Sequence, residues 1–134
     1  MKDSNAVDVV KRAYDAFNSG DVQGFLKTCA VDIEWADPGI KGLAHHPGLV
    51  RGRDLVAQVI EQLAANEEVL EFKQHNFVAQ DNRVFVEGSW RARAKPTGRI
   101  FQFNYVHALT VRDGQIQKWE GYWDTATHAE AFRS

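Results

Sequence analysis

The hydrophobic rhythm of the chain changes half-way along its length. In the first third, Val7, Val10, Tyr14 and Phe17 recur at spacings of three and four, which puts them on one stripe of an α-helix. Ser4 is the expected N-cap. Asn18-Ser19-Gly20 is the expected stop, because glycine accepts the left-handed backbone that ends many helices. Asp21 caps a short second helix with Val22, Phe25, Leu26 and Cys29 on its apolar face. Residues 31–37 alternate instead, with Ile33, Trp35 and Asp37 on one side of a brief strand that Pro38-Gly39 terminates. Residues 39–53 hold four glycines, Pro47 and the pair His45-His46, and form a loop of a length often used for lids or binding segments. Asp54 is the expected cap of a third helix that buries Leu55, Val56, Val59, Ile60 and Leu63. From residue 69 the period becomes two. Strands are expected near 69–80, 83–95, 99–112 and 115–124, with Asp81-Asn82, Pro96-Thr97-Gly98 and Asp113-Gly114 as hairpin turns.

Three helices followed by an antiparallel meander predict an α+β domain with the helices packed on one face of a curved sheet. Three helices do not fully cover long, twisted strands, so a cone-shaped pocket is expected between the layers. Strand parity then assigns its wall. In 99–112, Phe101, Phe103, Tyr105, His107, Leu109 and Val111 share one side, and burying that aromatic row gains most from the hydrophobic effect. In 83–95, Val84, Val86, Gly88, Trp90 and Ala92 face inward, and Arg83, Glu87, Arg91 and Arg93 face outward. In the last strand Ile116 has one parity and Trp119, Gly121 and Trp123 the other, so a bulge is expected near Gln117-Lys118.

Composition narrows the function classes. At 134 residues, with 44% hydrophobic and 25% charged positions, the chain is expected to be one globular domain over 1–134. A formal charge of −2 provides no electrostatic footprint for nucleic acid. Nothing near the N-terminus reads as a leader, and no apolar run approaches the roughly 20 residues of a membrane span. A lone Cys29 excludes an intrachain disulfide and a thiolate zinc cluster. A cytoplasmic location, with no nucleic-acid or membrane partner, is the expectation.

Three polar groups stand on or beside the aromatic surface: Asp37, His107 and Asp124, the last at the end of the final strand. Desolvation raises the pKa of a carboxylate and makes it a better proton acceptor at neutral pH. A neighbouring imidazole can donate a hydrogen bond to a developing enolate oxygen or exchange protons itself. Tyr14, Trp35, Trp90, Phe103, Tyr105, Trp119 and Trp123 are the expected substrate-binding wall. His45-His46 suggests a metal at first sight, but adjacent histidines are expected to point apart and no carboxylate follows at ligand spacing. No metal and no cofactor are therefore expected.

The stretch Val10-Lys11-Arg12-Ala13-Tyr14-Asp15-Ala16-Phe17-Asn18-Ser19-Gly20-Asp21 resembles the first-helix signature of the nuclear transport factor two-like superfamily. Trp35-Ala36-Asp37-Pro38-Gly39, Val50-Arg51-Gly52-Arg53-Asp54 and Val111-Arg112-Asp113-Gly114-Gln115-Ile116 agree with it, and the resemblance spans essentially the whole chain. Asp37-Pro38 resembles the Asp-Pro of ketosteroid isomerases, whose Asp is the general base, and His107 falls where those enzymes carry a second, protonated Asp. Their oxyanion Tyr aligns with Ala13, one residue before Tyr14 and about 100° round the helix. The pair His107 and Asp124 resembles the SnoaL-like pattern, in which a strand His and a late Asp handle the proton of an aldol cyclisation. The Asp-Arg-Asp set of limonene epoxide hydrolases lacks its arginine, since Arg91 and Arg93 have the outward parity. The resemblance implies a cofactor-independent acid/base enzyme of isomerase, cyclase or dehydratase type, acting on a small hydrophobic ketone or polycyclic compound. The alternative it implies is a non-catalytic small-molecule-binding or dimerisation module. It also implies a homodimer through the outer sheet face, where Gln102, Asn104, Val106 and Ala108 lie.

Overall fold

The computed structural model describes residues 2–134, with side chains described from Asn5 onward. The elements in chain order are α1 (Lys2–Asn18), α2 (Val22–Lys27), β1 (Cys29–Ala36), β2 (Leu49–Arg51), α3 (Arg53–Asn66), β3 (Glu67–Gln80), β4 (Arg83–Ala94), β5 (Ile100–Arg112), β6 (Gln115–Trp123) and α4 (Thr125–Ala131). The strands form one sheet in the order β2-β1-β6-β5-β4-β3. The expected α+β architecture of helices on a curved sheet is present, with three corrections. Within the expected 39–53 loop, Leu49–Arg51 form β2, antiparallel to β1, and Arg53 already opens α3. The sheet is mixed rather than wholly antiparallel, because β1 runs parallel to β6. A fourth helix, α4, follows the last strand.

Local sequence explains most boundaries. Gly20 takes φ +77° after α1, and Asp21 caps α2 by accepting from the Gly24 N–H at 2.9 Å. α1 is already formed at Lys2, so Ser4 lies within it and not ahead of it, and the Ser4 side chain falls outside the described residues. Cys29 opens β1 instead of completing α2. α3 is capped by Gly52, and Asp54 sits in the first turn, where its charge opposes the positive end of the helix dipole. None of the described helices is long and apolar enough to cross a membrane.

Burial follows the expected parity. Phe101, Phe103, Tyr105, His107, Leu109 and Val111 are buried, and Ile100, Gln102, Asn104 and Val106 are exposed, whereas Ala108, expected on the outer face, is only 4% exposed. The bulge lies at Gln117, where pairing slips between Thr110–Lys118 and Val111–Ile116. The extra residue turns both Ile116 and Trp119 inward. Parallel pairing of β1 with β6 sets Trp35 beside Trp119, and the two indoles stack 3.9 Å apart at 9°.

Gly88 permits the closest approach in the sheet. A Cβ there would come within 1.9 Å of the Lys73 carbonyl oxygen and 2.4 Å of the Tyr105 hydroxyl. Gly88→Ala is therefore expected to destabilise the fold by about 1–3 kcal/mol, through backbone displacement between β3 and β4. A urea-unfolding midpoint equal to wild type would refute this.

Candidate functional site

A cavity of about 90 Å³ lies between the helices and the concave sheet face. One water needs only about 10–15 Å³, so the space suits several waters or a small molecule. Tyr14, Trp35, Trp90, Phe103, Tyr105, Trp119 and Trp123 all line it, as do Asp37 and His107. The rings brace one another: Phe103 stacks on Trp123 at 5.4 Å and Phe72 meets Trp90 edge-on at 5.0 Å. The Tyr105 hydroxyl is directed out of the wall, donating to the Lys73 carbonyl at 2.7 Å and accepting from Gln74 at 3.3 Å.

His107 sits in the middle of β5, opposite Gly121 of β6. Its Nδ1 lies 2.5 Å from the Tyr14 hydroxyl. That hydroxyl has no other acceptor among the described residues, so its proton goes to Nδ1 and the remaining ring proton stays on Nε2. Burial pushes the imidazole pKa down to about 3, so the ring is neutral at physiological pH. Burial likewise raises the Tyr14 phenol well above its ordinary value, with Tyr105 adding to the effect. The result is a neutral donor on an apolar wall, in a fixed tautomer.

Asp37 follows β1 directly and is 8% exposed. Its Oδ1 accepts from the backbone N–H of Gly39 at 2.7 Å and of Gly48 at 2.9 Å, which folds the 39–53 loop back over the site. Both glycines have positive φ, +73° and +93°, a conformation other residues rarely adopt. Oδ2 has no hydrogen-bond partner among the described residues and lies 3.7 Å from Nδ1 of His46.

The same loop corrects one expectation. It closes on itself through Ile40 N–H to His46 O, Leu43 N–H to Ile40 O and His46 N–H to Leu43 O, at 2.9, 3.0 and 3.0 Å. In this turn the two histidines do not diverge: their rings are 4.5 Å apart and both line the cavity. They meet Glu67, which opens β3, and His128 from α4. Oε2 of Glu67 accepts from Nε2 of His45 and of His128, each at 2.7 Å, and lies 3.7 Å from Nε2 of His46. Oε1 accepts from the Trp90 indole at 3.0 Å. Burial works to raise the Glu67 carboxyl, but the hydrogen bonds from His128 and His45, with His46 close by, outweigh it and hold the group well below the usual carboxylate range. His45, His46, Glu67 and His128 each offer a donor atom within 4.8 Å of the others, and all four are buried. These are the described residues able to hold a metal ion.

Sequence reasoning missed Glu67 and His128, and it dismissed the histidine pair. Separations of 21 residues from His46 to Glu67 and 61 from Glu67 to His128 leave no local spacing signal. Asp124 is the opposite case. It is exposed, N-caps α4 by accepting from the Thr127 N–H at 3.0 Å and its hydroxyl at 2.7 Å, and does not line the cavity. The expectation that it joins Asp37 and His107 is corrected, because β6 ends at Trp123 and the chain turns outward into a helix.

The SnoaL-like domain model matches residues 10–119. The chain belongs to that family. An uncharacterised protein of Mycobacterium tuberculosis is 26% identical to this SnoaL-like chain over 132 residues, covering 98% of each. The crystal structure of a nuclear transport factor two-like protein of Burkholderia xenovorans LB400 is 34% identical, covers 99% of each chain and superposes with a TM-score of 0.88. At the level of fold alone, an epoxide hydrolase of M. tuberculosis resembling limonene epoxide hydrolase superposes with a TM-score of 0.77. It is 19% identical, and the match covers 98% of this chain and 91% of that one.

The burial of His107 makes the stability of this SnoaL-like domain depend on pH. Its folded pKa, about 3, lies below the ordinary 6.5, so between those values the unfolded chain takes up a proton that the folded one refuses. Stability from this group is complete above pH 6.5 and declines as pH falls toward 3. Tyr14 and Tyr105, the titratable groups facing the ring, do not titrate in that window. Urea midpoints measured across it should fall more steeply for wild type than for His107→Gln, and parallel curves would refute the assignment.

Proposed function

We propose that this protein is an enzyme that moves a proton beside the carbonyl group of a small, largely apolar compound. The observation carrying this reading is His107: a neutral imidazole, its tautomer held by Tyr14, offering Nε2–H to an aromatic cavity. A carbonyl oxygen in hydrogen-bond reach of Nε2 would be polarised, and the charge developing on it as an enolate forms would be stabilised without reorganisation of water. Asp37 is the proton acceptor. Its Oδ1 is anchored by two backbone N–H groups, and its buried Oδ2 has no partner among the described residues. The proton leaves the carbon next to the carbonyl for Oδ2 and returns from it to the same or another carbon, which is the common step of isomerisation, cyclisation and dehydration. The aromatic wall selects substrate by shape and apolar area. The membership in a SnoaL-like family, and the epoxide hydrolase among its fold neighbours, support an enzymatic role.

We also propose a homodimer through the outer sheet face. Val106 and Tyr122, 41 and 57% exposed, pair across β5 and β6, and Phe85, 37% exposed, lies two positions along β4 from the partner of Val106; these apolar groups suit a second copy of the chain. Sedimentation equilibrium should give twice the chain mass of 15.1 kDa, and a monomer at micromolar concentration would overturn the proposal.

The catalytic reading is tested by deuterium exchange at the carbon beside the carbonyl in a panel of small aromatic and alicyclic ketones, followed by NMR. Wild type is expected to accelerate exchange for at least one of them. His107→Phe should lose about 10²–10³-fold of that rate, as for removal of one oxyanion donor. Asp37→Asn should lose it almost entirely. A ligand that binds in the cavity while no ketone exchanges would identify a carrier and sink the enzymatic reading.

A further inference from the structure

We propose that His45, His46 and Glu67 form a divalent-metal site of the zinc type, with a fourth position open to the cavity. The donors are Nε2 of His45, Nε2 of His46 and Oε2 of Glu67, in which Oε2 is 2.7 Å from the first nitrogen and 3.7 Å from the second. Tetrahedral donors about 2.0–2.2 Å from a metal lie about 3.3 Å from one another, so the observed separations bracket that spacing. Two imidazoles, one carboxylate and a water are a donor set of catalytic zinc.

The surroundings of each donor agree. His46 is 9% exposed and neither ring nitrogen has a hydrogen-bond partner among the described residues. With Nε2 on a metal, its Nδ1–H points to Oδ2 of Asp37, 3.7 Å away and also without a partner, and Asp37 is itself held by Gly39 and Gly48. A carboxylate behind a ligating histidine fixes ring orientation and raises its basicity. His128 is assigned a different part. Its Nδ1 accepts from the Trp123 indole, which can only donate, at 3.1 Å. Its Nε2 therefore carries the proton that goes to Glu67, so His128 supports the carboxylate and does not ligate. Charge agrees as well: Asp37 and Glu67 are two buried carboxylates, no lysine or arginine among the described residues lines the cavity, and one divalent ion neutralises both. Binding displaces to solvent the Nε2 proton that His45 shares with Glu67.

The inference rests on the same cavity as the proposed reaction. With an ion bound, Oδ2 of Asp37 is engaged by Nδ1–H of His46, so the proton-acceptor role proposed above belongs to the metal-free chain. Metal binding is read without substrate, so its failure leaves the metal-free reading of Asp37 and His107 standing, and loss of that reading leaves the metal result untouched. Chelator-stripped protein is titrated with Zn²⁺ by calorimetry and with Co²⁺ by visible absorption. One ion per chain and an intense four-coordinate cobalt spectrum are expected. Glu67→Gln and His46→Ala should weaken binding by more than about 100-fold, and Asp37→Asn, which keeps all three donors, by about 10–100-fold. Circular dichroism checks that each variant is folded, and His45→Ala replaces any that is not. No binding by wild type, or wild-type affinity in folded donor variants, would overturn the proposal.

Discussion

Everything on the polar side of the cavity depends on one buried carboxylate. Glu67 stands at the junction of α3 and β3, is 3% exposed, and receives N–H groups from the 39–53 loop, from α4 and from Trp90 of β4. A buried charge without partners would cost several kcal/mol, and removing one partner of a buried pair costs about 3–5 kcal/mol. The three segments are thus tied to a single point. The loop, which has few apolar groups of its own to bury, is located by this contact and by the Asp37 turn. α4 is likewise held over the open end of the sheet through His128.

The other end of the cavity follows the opposite logic. Among the described residues His107 has no carboxylate against it, only rings and the Tyr14 hydroxyl. Desolvation wins there and the imidazole stays neutral. Two histidine environments therefore share one cavity: a neutral donor on the sheet, and an imidazole cluster around carboxylates beneath the loop. Aromatic walls between them keep the local dielectric low, which strengthens polar interactions at both ends.

Much of this was legible along the chain, for reasons specific to each element. The period-two rows of β4 and β5 survive intact because each strand has one face against the core, so a parity error would bury its charged side. The mismatch between Ile116 and Trp119 announced the bulge at Gln117 because both residues need the interior. All seven expected wall residues line the cavity, since aromatic side chains on an inward row have nowhere else to go. Asp124 was misread because strand parity stops applying where β6 ends; there the local rule, an Asp accepting from the N–H three residues on, governs.

Periodicity and neighbours a few residues away suffice for the first three helices, the meander, the inward aromatic rows, the place of His107 within its strand and that of Asp37 just past the end of β1. The parallel β1–β6 pair and the meeting of His45, His46, Glu67 and His128 arise only when the whole chain packs. Those contacts join residues far apart along the chain through a closed turn, a strand start and a late helix. No local pattern encodes such a meeting. It is fixed by the packing of whole elements, and by the requirement that a carboxylate taken out of water find donors wherever the fold supplies them.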